Sequence, residues 1–420
     1  MGKTLDLTAL SKLVTEDGVA IRARQRLQPA GGPGDKVFPP TYATGDKNLK
    51  YATETRRIDG KDVPAVLLDS VASQANRIEE SLLAAWETGA LHFPVIGVDF
   101  SGNPELRDLG TITALQAPHR IADAILRDAT DLDGKTLFRD LPSGRAFTDA
   151  TPRNATAVYA LCPTALVFGV WDSTGPKGGL GAKFARALTS EIVALGVQTG
   201  RKVGSRIDPL GIQANVPVYH RKDDEDDWTI DPKEAKTEKE KPVLFSRKGA
   251  EGKGKASAVN HSNVLPTIDE FAGGVTFDHA IQTVVLSLPA LRRLRFVTGL
   301  DGKPLADRAA AEKAARVALA ALALAGIVHQ RVQGYDLRSR CLLVPDGALV
   351  LEIVRADGSC EQVSLDVEGV NALAKDAHAA AKAAGMGWER EPLKLRPAPK
   401  LVALIKRSRA EAAAGAADEV

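Results

Sequence analysis

Cysteine is scarce in this chain, and the little there is argues against two classes of protein. Cys162, Cys341 and Cys360 stand alone, with no CxxC pair and no Cys/His cluster at zinc spacing. An odd number of isolated cysteines fits reduced thiols rather than a disulfide framework. Each lies on or beside an apolar run, where a small core residue is the expected role. Aromatic residues are also sparse, at 5%, so the core has to be built from Ala, Leu and Val. Long apolar runs are missing. The longest, Val317 to Val328, follows a charged segment and is too short to span a bilayer. The opening MGKTLDLTAL lacks the apolar stretch of a signal peptide, so a cytoplasmic protein without a membrane partner is expected.

Net charge is nearly absent as well. The 55 basic and 53 acidic side chains leave +2, which by itself points to no partner. A nucleic-acid binder with this balance has to segregate its charge, with acidic loops offsetting a basic face. The block Asp223, Asp224, Glu225, Asp226, Asp227 is of the kind that masks such a face in the total.

Signatures of catalysis do not occur. The seven histidines are scattered without an HExxH pattern, and no serine sits in GxSxG. The loop Gly175 to Gly181 invites comparison with a phosphate-binding P-loop, but Lys183 stands two residues beyond Gly181 and is followed by Phe184, not Ser or Thr. No cofactor, metal or catalytic residue is therefore expected.

What is present is an ordinary globular chain of 420 residues, 44% hydrophobic and 26% charged, with ample material for a core. Residues 1–60 are rich in turn formers, and Pro29 to Gly34 suits neither a helix nor a central strand. Val63 to Leu68 reads as a buried strand ending at Asp69-Ser70, both good helix N-caps. The helix that follows carries Val71, Ala75, Ile78 and Leu82 on one face, with Ser70, Gln74, Arg77 and Ser81 on a second stripe. Pro118 is placed to open another helix. Ala165 to Trp171 reads as a strand, followed by the glycine loop and then a helix carrying Phe184, Leu188 and Leu195, with Lys183, Arg186 and Ser190 on another face. Residues 220–256 hold little to bury and read as a mobile insertion.

Beyond this insertion, Ile281 to Leu288 is a strand and an Ala-rich helix spans roughly 305–325. Cys341 to Val344 and Ala348 to Val354, joined by Pro345-Asp346-Gly347, predict a hairpin. A second turn at Asp357-Gly358 leads to Glu361 to Leu365. From 391 on, the chain reads as a basic tail. This order of elements fits an α+β fold with an antiparallel sheet, such as the ferredoxin-like or RRM-like arrangement.

Four groups of residues suit a polyanion. At the strand-to-helix junction, the free N–H groups of a helix start, with Ser70, Ser73, Gln74 and Arg77, would suit a phosphate. Equally, Asp69 or Ser70 can be a plain cap and Arg77 can pair with Glu79 or Glu80. Lys177 in the glycine loop, with Lys183 and Arg186, offers a second group, or else solvated lysines beside a turn. Arg292, Arg293 and Arg295 are costly to hold together without an anion nearby, unless they lie on a solvated helix face. Arg206, with Arg201 and Lys202, makes a fourth group.

Six segments carry a family resemblance: Leu68 to Glu79, Ala117 to Ala124, Phe168 to Ser173, Lys183 to Ile192, Gly204 to Leu210 and Leu286 to Phe296. Together they resemble the RAMP-superfamily guide-RNA-binding backbone subunit of type I-G (formerly I-U) CRISPR Cascade complexes, over roughly residues 60–300. The resemblance implies an RRM-like palm, over residues 1–390, with inserted thumb and fingers segments. The thumb is expected within roughly 205–280. It implies a non-enzymatic subunit that coats CRISPR RNA as a helical filament, and partners that include other copies of itself, other Cascade subunits and target DNA through guide pairing. Under it, Ser70, Gln74, Arg77, Lys177, Lys183 and Arg186 become candidate phosphate contacts. A rival from the same superfamily is a metal-dependent ribonuclease cleaving target RNA, with Asp269 and Asp278 in the comparable region.

Overall fold

The structure is a computed structural model. It describes residues 3–43, 45–46, 48–177, 180–224, 226–246, 253–389 and 391–417, with side chains as far as residue 412. The chain forms two compact units, one of Met1–Gln198 and Val275–Leu401, the other of Thr199–Gly274 and Val402–Val420.

The first unit begins β1 (Lys3–Thr4), α1 (Leu7–Thr15), β2 (Gly18–Pro29), β3 (Thr53–Ile58), β4 (Lys61–Asp69) and α2 (Val71–Glu87). It continues β5 (Ile96–Asp99), β6 (Thr111–Thr113), α3 (Ala124–Arg127), β7 (Ala129–Thr130), α4 (Pro142–Thr148), α5 (Thr156–Leu161) and α6 (Thr164–Phe168). Then come β8 (Val170–Trp171), β9 (Lys183–Phe184), β10 (Leu188–Leu195) and β11 (Gln198–Thr199).

The second unit holds β12 (Lys202–Arg206), β13 (Tyr219–His220), β14 (Trp228–Thr229), β15 (Thr237–Glu238), β16 (Lys241–Pro242) and β17 (Val264–Asp269). The chain goes on with β18 (Val275–Thr276), β19 (His279–Ser287), α7 (Leu288–Arg292), α8 (Arg308–Gln333), β20 (Tyr335–Asp336), β21 (Leu342–Pro345), β22 (Leu351–Arg355) and β23 (Cys360–Ser364). It closes with α9 (Val367–Ala383), β24 (Leu393–Pro397) and α10 (Pro399–Ala417).

The main sheet runs β1-β23-β22-β2-β19-β10-β4-β3, antiparallel throughout except where β1 meets β23. This is the expected α+β class with antiparallel sheets, compatible with an RRM-like arrangement. The sheet is amphipathic. In β2, Ile21, Ala23, Gln25 and Leu27 are buried while Arg22, Arg24 and Arg26 point to the other face, as the two-residue period of a strand requires. Helix α2 packs on β10 and on α8, which also meets α1 and α9. The 26-residue α8 is buried along nearly all of Ala315 to Val328. A small residue is needed at the crossing with α2: a Cβ on Gly326 would lie 2.5 Å from Ile78 Cγ2.

Several expectations fail for identifiable reasons. Residues 1–60 are not mainly turns, since they contain α1, β2 and β3. The Ile58-Asp59-Gly60-Lys61 turn joining β3 and β4 has φ of 49° at Asp59 and 77° at Gly60, the paired positive values of a type I′ hairpin. Pro118 opens no α-helix, because Arg120 takes φ 52° and breaks the segment into a 3-10 turn and α3. Ala165–Phe168 is helical, and only Val170–Trp171 is strand. The helix expected over 183–195 is instead β9 and β10. In β10, Leu188, Ser190, Ile192 and Ala194 share one face while Val193 and Leu195 pack on the other, so a strand buried on both faces near its end accommodates the spacing that suggested a helix.

The Pro345-Asp346-Gly347 turn makes no hairpin. β21 pairs with residues 27–29 of β2 and β22 with residues 18–22, so the two lie end to end along a twelve-residue strand. The Asp357-Gly358 turn does join paired strands. Residues 393–397 are not tail: β24 sits parallel to β5 and antiparallel to β7 in a second sheet. Val275 and Ala280 belong to the main core, so the second unit ends at Gly274, short of the thumb boundary expected at 280. Cys360 is exposed, whereas Cys162 and Cys341 are buried.

In the second unit, β12 and β17 form a two-stranded ribbon with exposed Val203, Leu265 and Ile268. The segment expected to hold little to bury contains two small strand pairs, β13 with β14 and β15 with β16. Its Phe245 packs on Val218 and Ala258. Residues 225 and 247–252 of that segment lie outside the described residues.

Candidate nucleic-acid interface

The eleven candidate residues separate by what already holds them. Ser70 caps α2, accepting from Ser73 N at 3.3 Å. Gln74 is fully buried. Its amide donates to Asp69 at 2.6 Å, and its carbonyl oxygen accepts from Ser190 and Gln282, both at 2.9 Å. Tyr335 OH and Gln330 complete this network through Gln282, each at 2.8 Å. Gln74 is thus a core residue with no atom for a phosphate, a correction to its reading as a contact. Arg77 pairs with Asp69, not with Glu79 or Glu80, and donates to the carbonyls of Asp336 and Leu337. Both fates follow from Asp69: a buried carboxylate must be satisfied, and α2 carries donors one and two turns in.

The arginine group is likewise mostly occupied. Arg292 donates to the carbonyls of Leu13, Val14, Glu16 and Gly18, closing the open end of α1. Arg295 pairs with Glu312 at 2.8 Å, alongside Arg308 and Arg316. Arg293 alone of the three is exposed without such a bond among the described residues. In the second unit, Arg206 donates to the carbonyls of His261 and Ser262, and Arg201 pairs with Glu270. Lys177 pairs with Asp149.

Lys183 and Arg186 are brought together. They line an open cleft of about 730 Å3 in the first unit, with His119, Arg120, Trp171 and Phe184. The pairing of β8 with β9 sets Trp171 opposite Lys183, whose ammonium lies 4.6 Å from the indole centroid. Arg186 passes close to Gly169, where a Cβ would lie 2.9 Å from Arg186 Cγ. Gly169 also has φ 83°, so glycine is required twice over. Behind the cleft, the strained Arg120 donates to Gly169 O at 3.1 Å and pairs with Glu79. Burial pushes the Glu79 carboxyl up, to about 7, against the pull of the Arg120 guanidinium. Arg139 grips the buried Asp172, which fixes the chain just beyond Trp171. With those carboxylates neutralised and none lining the cleft, its surface is cationic at Lys183 and Arg186.

A second cationic stripe was missed from sequence. On the sheet face away from α2, Arg22 pairs with Glu352 at 2.7 Å and Arg26 with Asp346 at 3.4 Å. Arg24 between them is exposed and has no ion pair among the described residues. The signal was legible as arginine at every second position beside alternating apolar residues. Among the described residues, no group of three or more His, Cys, Asp or Glu is arranged to hold a metal ion. No helix among them is long and apolar enough to cross a membrane.

Residues 21–199 match a family model described as CRISPR-associated protein GSU0053. The matched segment takes in the arginine stripe, α2 and the whole cleft, and it supports a CRISPR-associated role for the chain. No curated protein matches.

Proposed function

We propose that this chain is the CRISPR-RNA-binding backbone subunit of a type I-G Cascade effector complex, acting in the cytoplasm without catalysis or cofactor. The observation that carries the reading is the family match over residues 21–199, which covers the cationic cleft and the arginine stripe. Such a subunit coats the guide by its phosphates and leaves the bases to read target DNA, so it needs exposed cations and no sequence readout. Lys183, Arg186, Arg24 and Arg293 are exposed cations without a carboxylate partner among the described residues. The exposed apolar ribbon of the second unit supplies surface for contacts with neighbouring copies or other Cascade subunits.

The test is purification from a host that carries the CRISPR array. RNA of uniform length accompanying the protein, with an affinity that falls steeply as salt rises, is the expected result. Protein that emerges free of nucleic acid and shows no salt-dependent RNA affinity overturns the proposal. Incubating target RNA with Mg2+ separates the rival ribonuclease, which would shorten it.

A further inference from the structure

The cleft holds an aromatic residue that the phosphate reading does not use. Of the four tryptophans, Trp388 is buried, Trp86 half-buried and Trp228, in the second unit, 38% exposed, whereas Trp171 is the most open at 52%. Exposing that much indole to water is unfavourable, and among the described residues of the first unit no apolar side chain buries it. Its position is rigid. The backbone pairs with β9 on one side, and the Arg139 grip on Asp172 anchors the next residue. The Lys183 ammonium lies over one face of the ring, 4.6 Å from its centroid, which leaves the opposite face for a base, and Arg186 lies on the same cleft wall.

An exposed, fixed aromatic face beside unneutralised cations is the arrangement by which single-stranded nucleic acid is held: bases stack on the ring and flanking phosphates meet the charges. The charged groups that share the cleft with the ring, Lys183 over its face and Arg186 on the same wall, favour a polyanion over a protein partner. We propose that Trp171 is a stacking platform for one unpaired nucleotide, with Lys183 and Arg186 taking the phosphates on either side of it. The inference rests on the RNA-binding reading and adds to it a base contact. Stacking on an indole does not distinguish bases, so the subsite accepts any of the four.

The experiment uses the full chain and two probes: a short oligouridine, and the same strand carrying abasic positions. Trp171→Ala is expected to weaken oligouridine binding between about fivefold and about a hundredfold. It should leave the dependence on salt unchanged, because no charge is removed. Trp171→Phe should restore most of the affinity, and the abasic strand should bind wild type and Trp171→Ala alike. The combined Lys183→Ala and Arg186→Ala variant should lower the salt slope by about 1.4, or about 0.7 for each phosphate released. Oligouridine binding that Trp171→Ala does not weaken overturns the stacking platform while leaving RNA binding intact. So does a loss of self-association with RNA affinity unchanged, which would assign the tryptophan to a protein contact. A wild-type protein that binds neither strand overturns the underlying reading.

Discussion

Arg120 lies along the Glu79 carboxylate, with Nε 2.8 Å from Oε1 and a terminal nitrogen 2.8 Å from Oε2, and both side chains are out of water. This pair ties α2 to the back wall of the cleft. Removing one partner leaves a buried charge unmatched. Arg120→Leu is therefore expected to cost about 3–5 kcal/mol, and the double change with Glu79→Leu to recover most of that loss. Urea denaturation of the four members of the cycle measures it. A single variant as stable as wild type would show that the charge is compensated elsewhere.

Arg77 and Lys183 were grouped as phosphate contacts by their sequence, yet they should now behave differently. Arg77→Ala strips a buried carboxylate of one partner and frees two carbonyls, so a stability loss of about 2 kcal/mol is expected. Lys183→Ala should change stability by no more than about 0.5 kcal/mol while weakening RNA binding. Equal unfolding midpoints for the two variants would refute the assignment of Arg77 to the framework.

The rings of His92 and His378 stand 4.4 Å apart, and each places Nε2 about 3 Å from the Trp388 carbonyl oxygen. Burial and the neighbouring His92 hold the His378 imidazole below its ordinary value, with Lys382 pulling the same way and Glu389 opposing. Because the folded form takes up the proton less readily than the unfolded form, this contribution is complete above about pH 6.5. It is lost as the pH falls from there through the lower value of the folded form. The raised Glu79 carboxyl has the opposite sign: its contribution is present below about 4.5 and lost as the pH rises towards about 7. The His378 part is isolated by comparison with His378→Gln, whose stability should fall less than wild type between about pH 7 and about pH 5. Parallel pH profiles would exclude the pair as a source of acid sensitivity.

Arg24 sits on the sheet face between two arginines that are already paired. Arg24→Ala should leave the unfolding midpoint within about 0.5 kcal/mol of wild type. It should reduce the salt slope of RNA binding by about 0.7, one phosphate's worth on a single strand. An unchanged slope removes this face of the sheet from the interface.

A backbone subunit tiles its guide through contacts between unlike surfaces, which need not close into a ring. RNA then raises the effective concentration of neighbouring copies. Light scattering is expected to show monomers or small oligomers without RNA, and arrays that lengthen with the RNA supplied. A dimer of fixed size at every RNA length would contradict the proposed assembly.

Some of this was legible from residues close in the chain. Ser70 before an apolar face at helical spacing specifies α2 and its start, and Asp357-Gly358 specifies the turn between β22 and β23, because caps and tight turns depend on a few adjacent backbone angles. The Asp59-Gly60 hairpin and the arginine ladder of β2 were equally local, one legible as an Asp-Gly turn and the other as charged residues alternating with apolar ones. Residues 183–195 carry both a helical and a strand period, and the choice fell to β4 and β19, which flank β10 and satisfy its backbone groups.

The chain's own order of residues thus determined the class of fold, the first long helix, the shortage of catalytic signatures and the family resemblance. Which cations face solvent was decided only by tertiary structure. Asp69 and the end of α1 are far in sequence from Arg338 and Arg292, yet once buried they require those donors. An arginine needed to satisfy a buried oxygen is withdrawn from any ligand. Among the described residues, Lys183 and Arg186 remain unpaired at the surface because the buried carboxylates Asp172 and Glu79 already have partners in Arg139 and Arg120.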